Sequence, residues 1–409
     1  MQLNNSESPS SNKPSKKRGL IIVAVVLAAA VILGTAGTLL FLKLAKKDAP
    51  TGTDTTASGS ESAATEQVTP DAGANESPSQ GIPEGEVIDG LNFVLSDDGT
   101  YYTVYAHSTL TKTEVTIPET CKGMPVRVVG NNAFANTKDL KKVTVPEGVV
   151  RVGDHAFADC AQLTAVVLPN GLEEIDSYAF AGSRNVKSVN IPDTVTKLGV
   201  FAFFCCNNLQ NVTIPAGIKE IPASCFNECK YFSKIIIPDG VTSIGKEAFF
   251  ACKSLMTVQI PDTVQSIGDG AFSGCNSLLE ISVPDGVTSI GTATFAHCAR
   301  LEALPLPDSI ESIGDSAFMN CSALSDINIP KNVKSIGKYA FFQCSALTKI
   351  TLPSSITSIG SEAFCGAYEL DSISFEGTKE AWGKVDLSSG WASMISAQEI
   401  KCTDGNVKR

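Results

Sequence analysis

The cysteines are the most reactive side chains in this sequence, and their spacing is regular. Of 13 cysteines, eight fall in one column with a period of 23 residues, with Ser183 and Ala367 filling its gaps. The column comprises Cys160, Cys206, Cys229, Cys252, Cys275, Cys298, Cys321 and Cys344. A zinc site needs ligands a few residues apart, whereas this column supplies one thiol per repeat. We predict buried free thiols, with disulfides or a metal site as the alternatives.

Five cysteines lie outside that column, namely Cys121, Cys205, Cys225, Cys365 and Cys402. The three histidines are His107, His155 and His297. His297 precedes Cys298, which could suggest a nucleophile pair, but adjacent residues here should point in different directions. The chain contains neither an HExxH nor a GxSxG motif. We therefore predict no catalytic residue, no cofactor and no enzymatic activity.

Aspartates also form a column, which could collect a cation such as calcium. They occur in four successive repeats, at Asp239, Asp262, Asp285 and Asp308. None lies in a calcium-binding loop motif, and aspartate after proline is typical of turns. We predict no metal site, and keep calcium-stabilised adhesion as an alternative.

A 23-residue repeat organises most of the chain. Residues 143–372 divide into ten units of 23 residues, and an irregular eleventh unit begins at Val115. A phenylalanine recurs in every unit, at positions 134, 157, 180, 203, 226, 249, 272, 295, 318, 341 and 364. A unit this short cannot bury its own apolar face, so stability must come from stacking neighbouring units.

Each column of the repeat has a structural interpretation. Apolar residues alternate with a variable one, as at Ile235 and Ile237, which predicts a short strand with one buried face. Pro238 follows and ends the strand, and Gly245 provides a corner. The stretch KEAFFAC predicts a single helical turn, because Phe249 and Cys252 are three residues apart.

The pattern L-x-x-V-x-I-P-x-x-V-x-x-I-G-x-x-A-F-x-x-C-x-x-L resembles the BspA-like leucine-rich repeat family over about residues 86–400. The segments GLNFVLSDDGTYYTVYA and FEGTKEAWGKV resemble its N-terminal hairpin cap and its closing segment. The resemblance implies an α/β repeat solenoid. This would be a leucine-rich-repeat-like right-handed coil with a parallel β-sheet face, short second strands and single helical turns, capped at both ends. Turn residues such as Thr263 stand where ordinary leucine-rich repeats have Asn or Cys, so their ligand rules are not carried over.

The N-terminal part has a different composition. We predict a short cytoplasmic tail over 1–18, a transmembrane anchor over 19–42 and a disordered polar linker over 43–85. A cleaved signal peptide is the alternative to the anchor. The repeat region then divides into an N-terminal β cap over 86–114, eleven repeats over 115–372 and a C-terminal cap and tail over 373–409.

Charge and topology limit the partners. The net charge of -11 disfavours nucleic acid, which needs a basic surface. Basic residues in the N-terminal tail favour an N-terminus inside the cell, with the repeat domain outside. We predict a single-pass protein of the cell membrane whose ectodomain is monomeric.

The variable strand positions are the candidate binding residues, because they should face outward together. They are Asn190, Asn211, Thr213, Lys234, Ile236, Thr257, Gln259, Glu280 and Ser282, with Tyr231 nearby. Alternatively, these are ordinary solvated strand positions. A second candidate patch, Phe201, Phe203 and Phe204, is more typical of space filling between coils.

Members of the resembling family are typically surface proteins that engage matrix proteins or other cells. We therefore expect a surface-displayed module that binds an extracellular protein or glycoprotein. The alternative is a passive structural or spacer component of the cell envelope without a dedicated ligand.

Overall fold

A computed structural model describes residues 83–409. The predicted tail, anchor and almost all of the predicted linker lie outside these residues, so these remain predictions. Among residues 83–409, no helix has the length and apolar character needed to cross a bilayer.

The repeats stack into a parallel β-solenoid of about 13 turns. One face, the first face, consists of short strands that begin each unit. It contains β4 (Glu114–Thr116), β7 (Lys142–Thr144), β9 (Ala165–Val167), β11 (Ser188–Val189), β13 (Asn211–Val212), β15 (Lys234–Ile236), β17 (Thr257–Gln259), β19 (Glu280–Ile281), β23 (Lys349–Leu352), β25 (Ser372–Phe375) and β27 (Glu399–Cys402).

The second face contains the predicted second strands, most of them two residues long. They are β6 (Met124–Val129), β8 (Arg151–Val152), β10 (Glu174–Ile175), β12 (Lys197–Leu198), β14 (Glu220–Ile221), β16 (Ser243–Ile244), β18 (Ser266–Ile267), β20 (Ser289–Ile290), β21 (Ser312–Ile313), β22 (Ser335–Ile336), β24 (Ser358–Ile359) and β26 (Asp386–Leu387).

Both ends of the solenoid carry antiparallel strands. At the N-terminal end, β1 (Glu86–Ile88), β2 (Leu91–Leu95) and β3 (Tyr102–Ala106) form an antiparallel meander, and β5 (Thr120–Cys121) pairs with β6. At the C-terminal end, β28 (Gly405–Lys408) pairs antiparallel with β27. Trp391 packs edge-on against the last phenylalanine of the column, Phe364, and so extends the core by one coil.

The strand residues are buried in the alternating pattern that the sequence predicts. Ile235 and Ile237 are 2% and 3% exposed, whereas Ile236 between them is 54% exposed. Strands of successive coils pair in parallel with a shift of one repeat, so Ile235 lies beside Val258. Each column therefore stacks on itself along the solenoid axis.

The third side of each coil differs from the predicted helical turn. In the stretch that contains Phe249, Glu247 and Ala251 adopt positive φ angles of 55° and 54°. These left-handed residues interrupt helical bonding, and the Phe249 amide donates to Ala271 O of the next coil at 2.8 Å. We call this the turn side. The one helix among residues 83–409 is α1 (Lys379–Trp382) in the closing segment, so the α/β class is not confirmed.

The phenylalanine column forms a continuous stack beneath the turn side. Neighbouring rings from Phe134 to Phe364 lie 5.2–5.8 Å apart, centroid to centroid, with planes within 13°. All eleven rings are at most 1% exposed. This stack buries one large apolar side chain per coil, and each contributes about 1.5–3 kcal/mol of gross stabilisation.

The cysteine column is buried beside the phenylalanine stack, and all 13 cysteines are free thiols. Each column thiol donates a hydrogen bond to the carbonyl of the phenylalanine one coil earlier, for example Cys252 Sγ to Phe226 O at 3.1 Å. Ser183 makes the same bond to Phe157 O at 2.6 Å. The prediction of buried free thiols is confirmed, and their role is to donate to a buried carbonyl.

The strand faces are interrupted, whereas the turn side is not. On the second face, pairing stops between β12 and β14 and between β18 and β20, and on the first face it stops between β13 and β15 and after β19. Pro222 explains the break between β12 and β14, because it occupies the place of Gly199 and Gly245. The Gly199 amide donates to Ile175 O and the Gly245 amide to Ile221 O, at 2.8 and 2.7 Å. Proline has no amide hydrogen to donate.

Candidate functional site

The middle section of the first face holds most of the predicted binding residues. In β15, β17 and β19, Lys234, Thr257 and Glu280 lie side by side in register, and Ile236 lies beside Gln259. Strands in such a sheet lie about 4.8 Å apart. Their outward side chains therefore form one short surface, which we call the middle strip.

The other predicted residues belong to a different part of the first face. Asn190 directly follows β11, while Asn211 lies in β13 and Thr213 directly follows it. These side chains are exposed, but no pairing connects β13 with β15. The expectation that all candidates lie on one continuous sheet is therefore wrong. Ser282, by contrast, is exposed directly after β19 at the edge of the middle strip.

Two exposed apolar residues of the middle strip were missed by the sequence reasoning. Met256 and Leu279 are 39% and 37% exposed, in the position just before β17 and β19. They are neighbours, because the Leu279 amide donates to Met256 O at 2.9 Å. In the other repeats this position is polar, as at Lys187 and Glu302. Two successive apolar residues in a polar column were the signal that could have revealed them.

The middle strip combines exposed apolar area with separate charges. Ile236 in β15 is 54% exposed, and Tyr231, three residues before β15, is 59% exposed. Among residues 83–409, no ion pair involves Lys234 or Glu280. Exposed apolar side chains beside charges of both signs can bind a protein surface through burial and through charge complementarity.

The reactive side chains are not arranged for catalysis in the described part of the chain. Burial raises the pKa of the Cys298 thiol well above its usual value, which disfavours the thiolate that a nucleophile needs. Within residues 83–409, no three His, Cys, Asp or Glu side chains are grouped as metal ligands. In the aspartate column, Asp308 forms an ion pair with Lys331 at 2.6 Å.

The phenylalanine cluster near residue 200 serves mainly packing. Phe203 is fully buried in the central stack, while Phe201 and Phe204 are half-buried and meet edge to face at 5.6 Å. Phe201 stacks on Tyr178, which stacks on His155, with centroids 4.8 and 4.5 Å apart. These rings cover one another along the solenoid axis.

A sequence model of the BspA type leucine rich repeat region matches this chain in six copies, over residues 127–256, 219–329 and 266–384. No curated protein matches the chain. The matched region contains the middle strip and the whole cysteine column. Only the coils at the two ends of the solenoid extend beyond it.

Solved structures show the same fold. A leucine rich cell surface protein from Faecalibacterium prausnitzii is 28% identical, with a TM-score of 0.51, over 76% of this chain and 99% of that one. A leucine-rich repeat protein from Bacteroides ovatus is 21% identical, with a TM-score of 0.51, over 76% and 98%. The pneumococcal vaccine antigen PcpA is 19% identical, with a TM-score of 0.52, over 77% and 99%. The last two likenesses concern the fold alone.

Proposed function

Because this chain belongs to the BspA-type leucine-rich repeat family, we propose that it is a surface-displayed binding module. Its partner is an extracellular protein or glycoprotein, and the contact serves adhesion to host or matrix proteins or to other cells. Residues 19–42 anchor it in the cell membrane, with the N-terminus inside and the repeats outside. Repeat domains of this kind use extended surfaces to bind, without an active site.

The distribution of exposed apolar side chains is the observation that carries the proposal. Ten large apolar side chains are exposed among residues 83–409. Three of them, Ile236, Met256 and Leu279, belong to the middle strip, a fourth, Tyr231, precedes β15 by three residues, and most of the others lie in the end segments. Clustered exposed apolar residues mark interaction sites, whereas isolated ones are ordinary. A rigid repeat surface also avoids the ordering cost of a flexible binding loop.

The cell-surface placement draws support from two observations. The Faecalibacterium prausnitzii protein is described as a cell surface protein. In the sequence, the uncharged stretch over 19–42 is long enough for a bilayer span. Protease treatment of intact cells tests the placement: we expect the repeat domain to be released or cut, and its protection would contradict the outward topology.

Binding through the middle strip is tested with two matched variants. Ile236→Asp with Leu279→Asp introduces charges at two exposed apolar positions of the strip and should abolish saturable binding to host-matrix and bacterial-surface extracts. Val167→Asp is the control, because Val167 is 47% exposed at the equivalent position of β9, outside the strip. Equal binding by both variants would show that the middle strip is not part of the binding interface. If the unmodified protein binds no extract, the passive envelope component is the better interpretation.

A further inference from the structure

Charged residues on the first face are separated by sign along the solenoid. They occupy two positions of each coil, the first outward residue of the strand segment and the residue just before it. Before Thr257, the charged residues at these positions are Lys141, Lys142, Lys187 and Lys234. After Thr257, they are Glu280, Glu302, Asp326, Asp371 and Glu399. All of these residues are exposed, and Glu114 and Lys349 are the exceptions to the separation.

Thr257 in β17 is the midpoint of this charge pattern. Lys234 lies one coil before it and Glu280 one coil after it, and strand pairing holds the three residues side by side. Parallel strands are about 4.8 Å apart, so the two charged residues stand about 10 Å apart along the solenoid axis. Salt screens most of the attraction between exposed charges at that distance. Both charges are therefore available to a partner.

The symmetry about the coil of Thr257 extends outward. Lys141 and Asp371 occupy equivalent positions five coils before and five coils after this coil. Lys187 and Asp326 lie in the coils three before and three after it. Among residues 83–409, no ion pair involves any of these four side chains. Positive charge on one side of the midpoint thus matches negative charge on the other.

A surface with this pattern is complementary to a second copy of itself. In a dimer with a twofold axis, both copies use the same patch, and residue i contacts j while j contacts i. We consider an axis that lies between two first faces, parallel to β17 and above Thr257. Lys234 of each copy then faces Glu280 of the other, and Met256, just before Thr257, lies near its own counterpart.

The charges disfavour the other face-to-face arrangement, in which the twofold axis follows the solenoid. That axis places each coil on the same coil of the second copy, so that basic coils meet basic coils. Like charges opposed across an interface are costly. In the favoured arrangement the two solenoid axes are antiparallel, and the N-terminal ends lie at opposite ends of the dimer. Two chains anchored near their N-termini on facing cells would meet in this orientation.

We propose that the first face binds a second copy of this chain, carried on a facing cell, through an antiparallel contact centred on Thr257. This rests on the proposed function, because it names the partner of the middle strip, and it departs from the expectation of a monomeric ectodomain. The exposed Ile236, Met256 and Leu279 supply apolar contact near the axis, and the charges set the orientation. Many chains on each cell act together, so a weak contact is sufficient for adhesion.

Charge reversal tests the contact by sedimentation equilibrium of the full chain in detergent micelles. We expect the unmodified chain to dimerise with increasing concentration. Lys234→Glu and Glu280→Lys each turn two attractive pairs per dimer into repulsive ones, so each variant alone should dimerise about tenfold more weakly. An equimolar mixture should recover dimers, because the heterodimer restores both attractive pairs. This recovery cannot arise from a folding defect or from association through residues 19–42.

Lys219→Glu is the matched control for these reversals. It makes the same change of charge as Lys234→Glu, at an exposed residue directly before β14 on the second face. The control should dimerise like the unmodified chain, and added salt should weaken both dimers by screening the paired charges. Absence of dimers in the unmodified chain, equal dimerisation of Lys234→Glu and the control, or no recovery in the mixture would each overturn the proposal.

Cell aggregation tests the placement on facing cells. Cells that carry Lys234→Glu and cells that carry Glu280→Lys should aggregate only when the two populations are mixed. Dimers in micelles without aggregation of the mixed cells would overturn this placement. If the unmodified chain forms no dimers while Ile236→Asp with Leu279→Asp still abolishes binding to matrix extracts, the inference fails and the proposed function stands. Intact dimers without any binding to matrix extracts would count against host or matrix adhesion alone.

Discussion

The turn side and the first face of the solenoid follow the same repeat, but they differ in continuity. On the turn side, every phenylalanine amide from Phe134 to Phe364 donates to the next coil. On the first face, pairing is interrupted between β13 and β15 and again after β19. The repeat is therefore held together along one side, and the strand faces are free to vary.

The difference has a physical basis in what each side buries. Turn-side coils are joined by ring stacking, by a backbone bond and by the thiol donated to the phenylalanine carbonyl, all of them out of contact with water. First-face strands bury one residue in two and leave the rest to solvent. Substitutions on the outward positions cost little stability, so a binding surface can change there without loss of the fold.

The coil of residues 212–234 is the sharpest test of this difference. It lacks strand pairing to the previous coil on the second face and to the next coil on the first face. Phe226 in this coil is stacked at 5.4 Å on Phe203 and at 5.6 Å on Phe249. Each junction of this coil therefore keeps one strand pairing, β11 with β13 and β14 with β16, and relies on the phenylalanine stack and the turn-side backbone bonds for the rest.

The largest expected effect comes from Phe226→Ala. Truncating a buried phenylalanine costs about 3–5 kcal/mol of unfolding free energy. At this coil we also expect two unfolding transitions in a denaturant titration, because each of its junctions has only one paired strand face to compensate for the lost ring. Phe157→Ala is the control within continuous strand pairing and should unfold in one transition. If both variants unfold in the same number of transitions, the interrupted strand pairing does not affect the cooperativity of unfolding.

Alkaline pH should weaken the turn side through its thiols. Burial raises the pKa of Cys275 from 9.0 to about 12. Between these values the unfolded chain releases the proton and the folded chain retains it, so unfolding free energy falls as pH rises. Cys275→Ser should remove about 1.4 kcal/mol of this loss per pH unit. Denaturation between pH 8 and about pH 12 measures the slope.

The serine variant should remain folded at neutral pH, because Ser183 already fills this column and donates to Phe157 O. The half-exposed Cys402 provides the control, and Cys402→Ser should change the alkaline slope less. An unchanged slope in Cys275→Ser would show that this thiol is ionised in the folded protein.

A smaller effect is expected at Pro222, which lies at the break between β12 and β14 on the second face. Pro222→Gly restores an amide that can donate to Leu198 O, as Gly245 donates to Ile221 O. We expect hydrogen exchange at this restored amide to become as slow as at Gly199 and Gly245. Stability should change by about 1 kcal/mol or less, since the new bond is offset by a more flexible unfolded chain. Fast exchange at the restored amide would mean that proline is not the cause of the break.

The smallest effect should come from the middle strip itself. Leu279 is 37% exposed and Leu278 beside it is fully buried. Leu279→Ala should shift unfolding free energy by about 0.5 kcal/mol or less. Leu278→Ala should cost about 2–5 kcal/mol. Thermal or chemical denaturation compares them, and a large loss in Leu279→Ala would assign this residue to the scaffold instead of the binding surface.

The periodic part of the molecule could be predicted from the sequence, because a column repeated at 23 residues must stack on itself. Burial of Ile235 and Ile237, exposure of Ile236 and free thiols in the cysteine column all followed from this. The predicted helical turn is absent from this stretch. A spacing of three residues between Phe249 and Cys252 fits both a helix and a series of turns with left-handed residues. Backbone bonds to the next coil decide between them.

The sequence by itself determined the repeat length, the core columns and the family. Only the tertiary structure decided which outward residues share a surface. Lys234 and Glu280 lie on one sheet of the first face, whereas Asn190 and Asn211 lie on another, because strand pairing stops between β13 and β15. The local sequence pattern determines which residues of each coil are buried, and the contacts between coils determine which exposed residues form one surface.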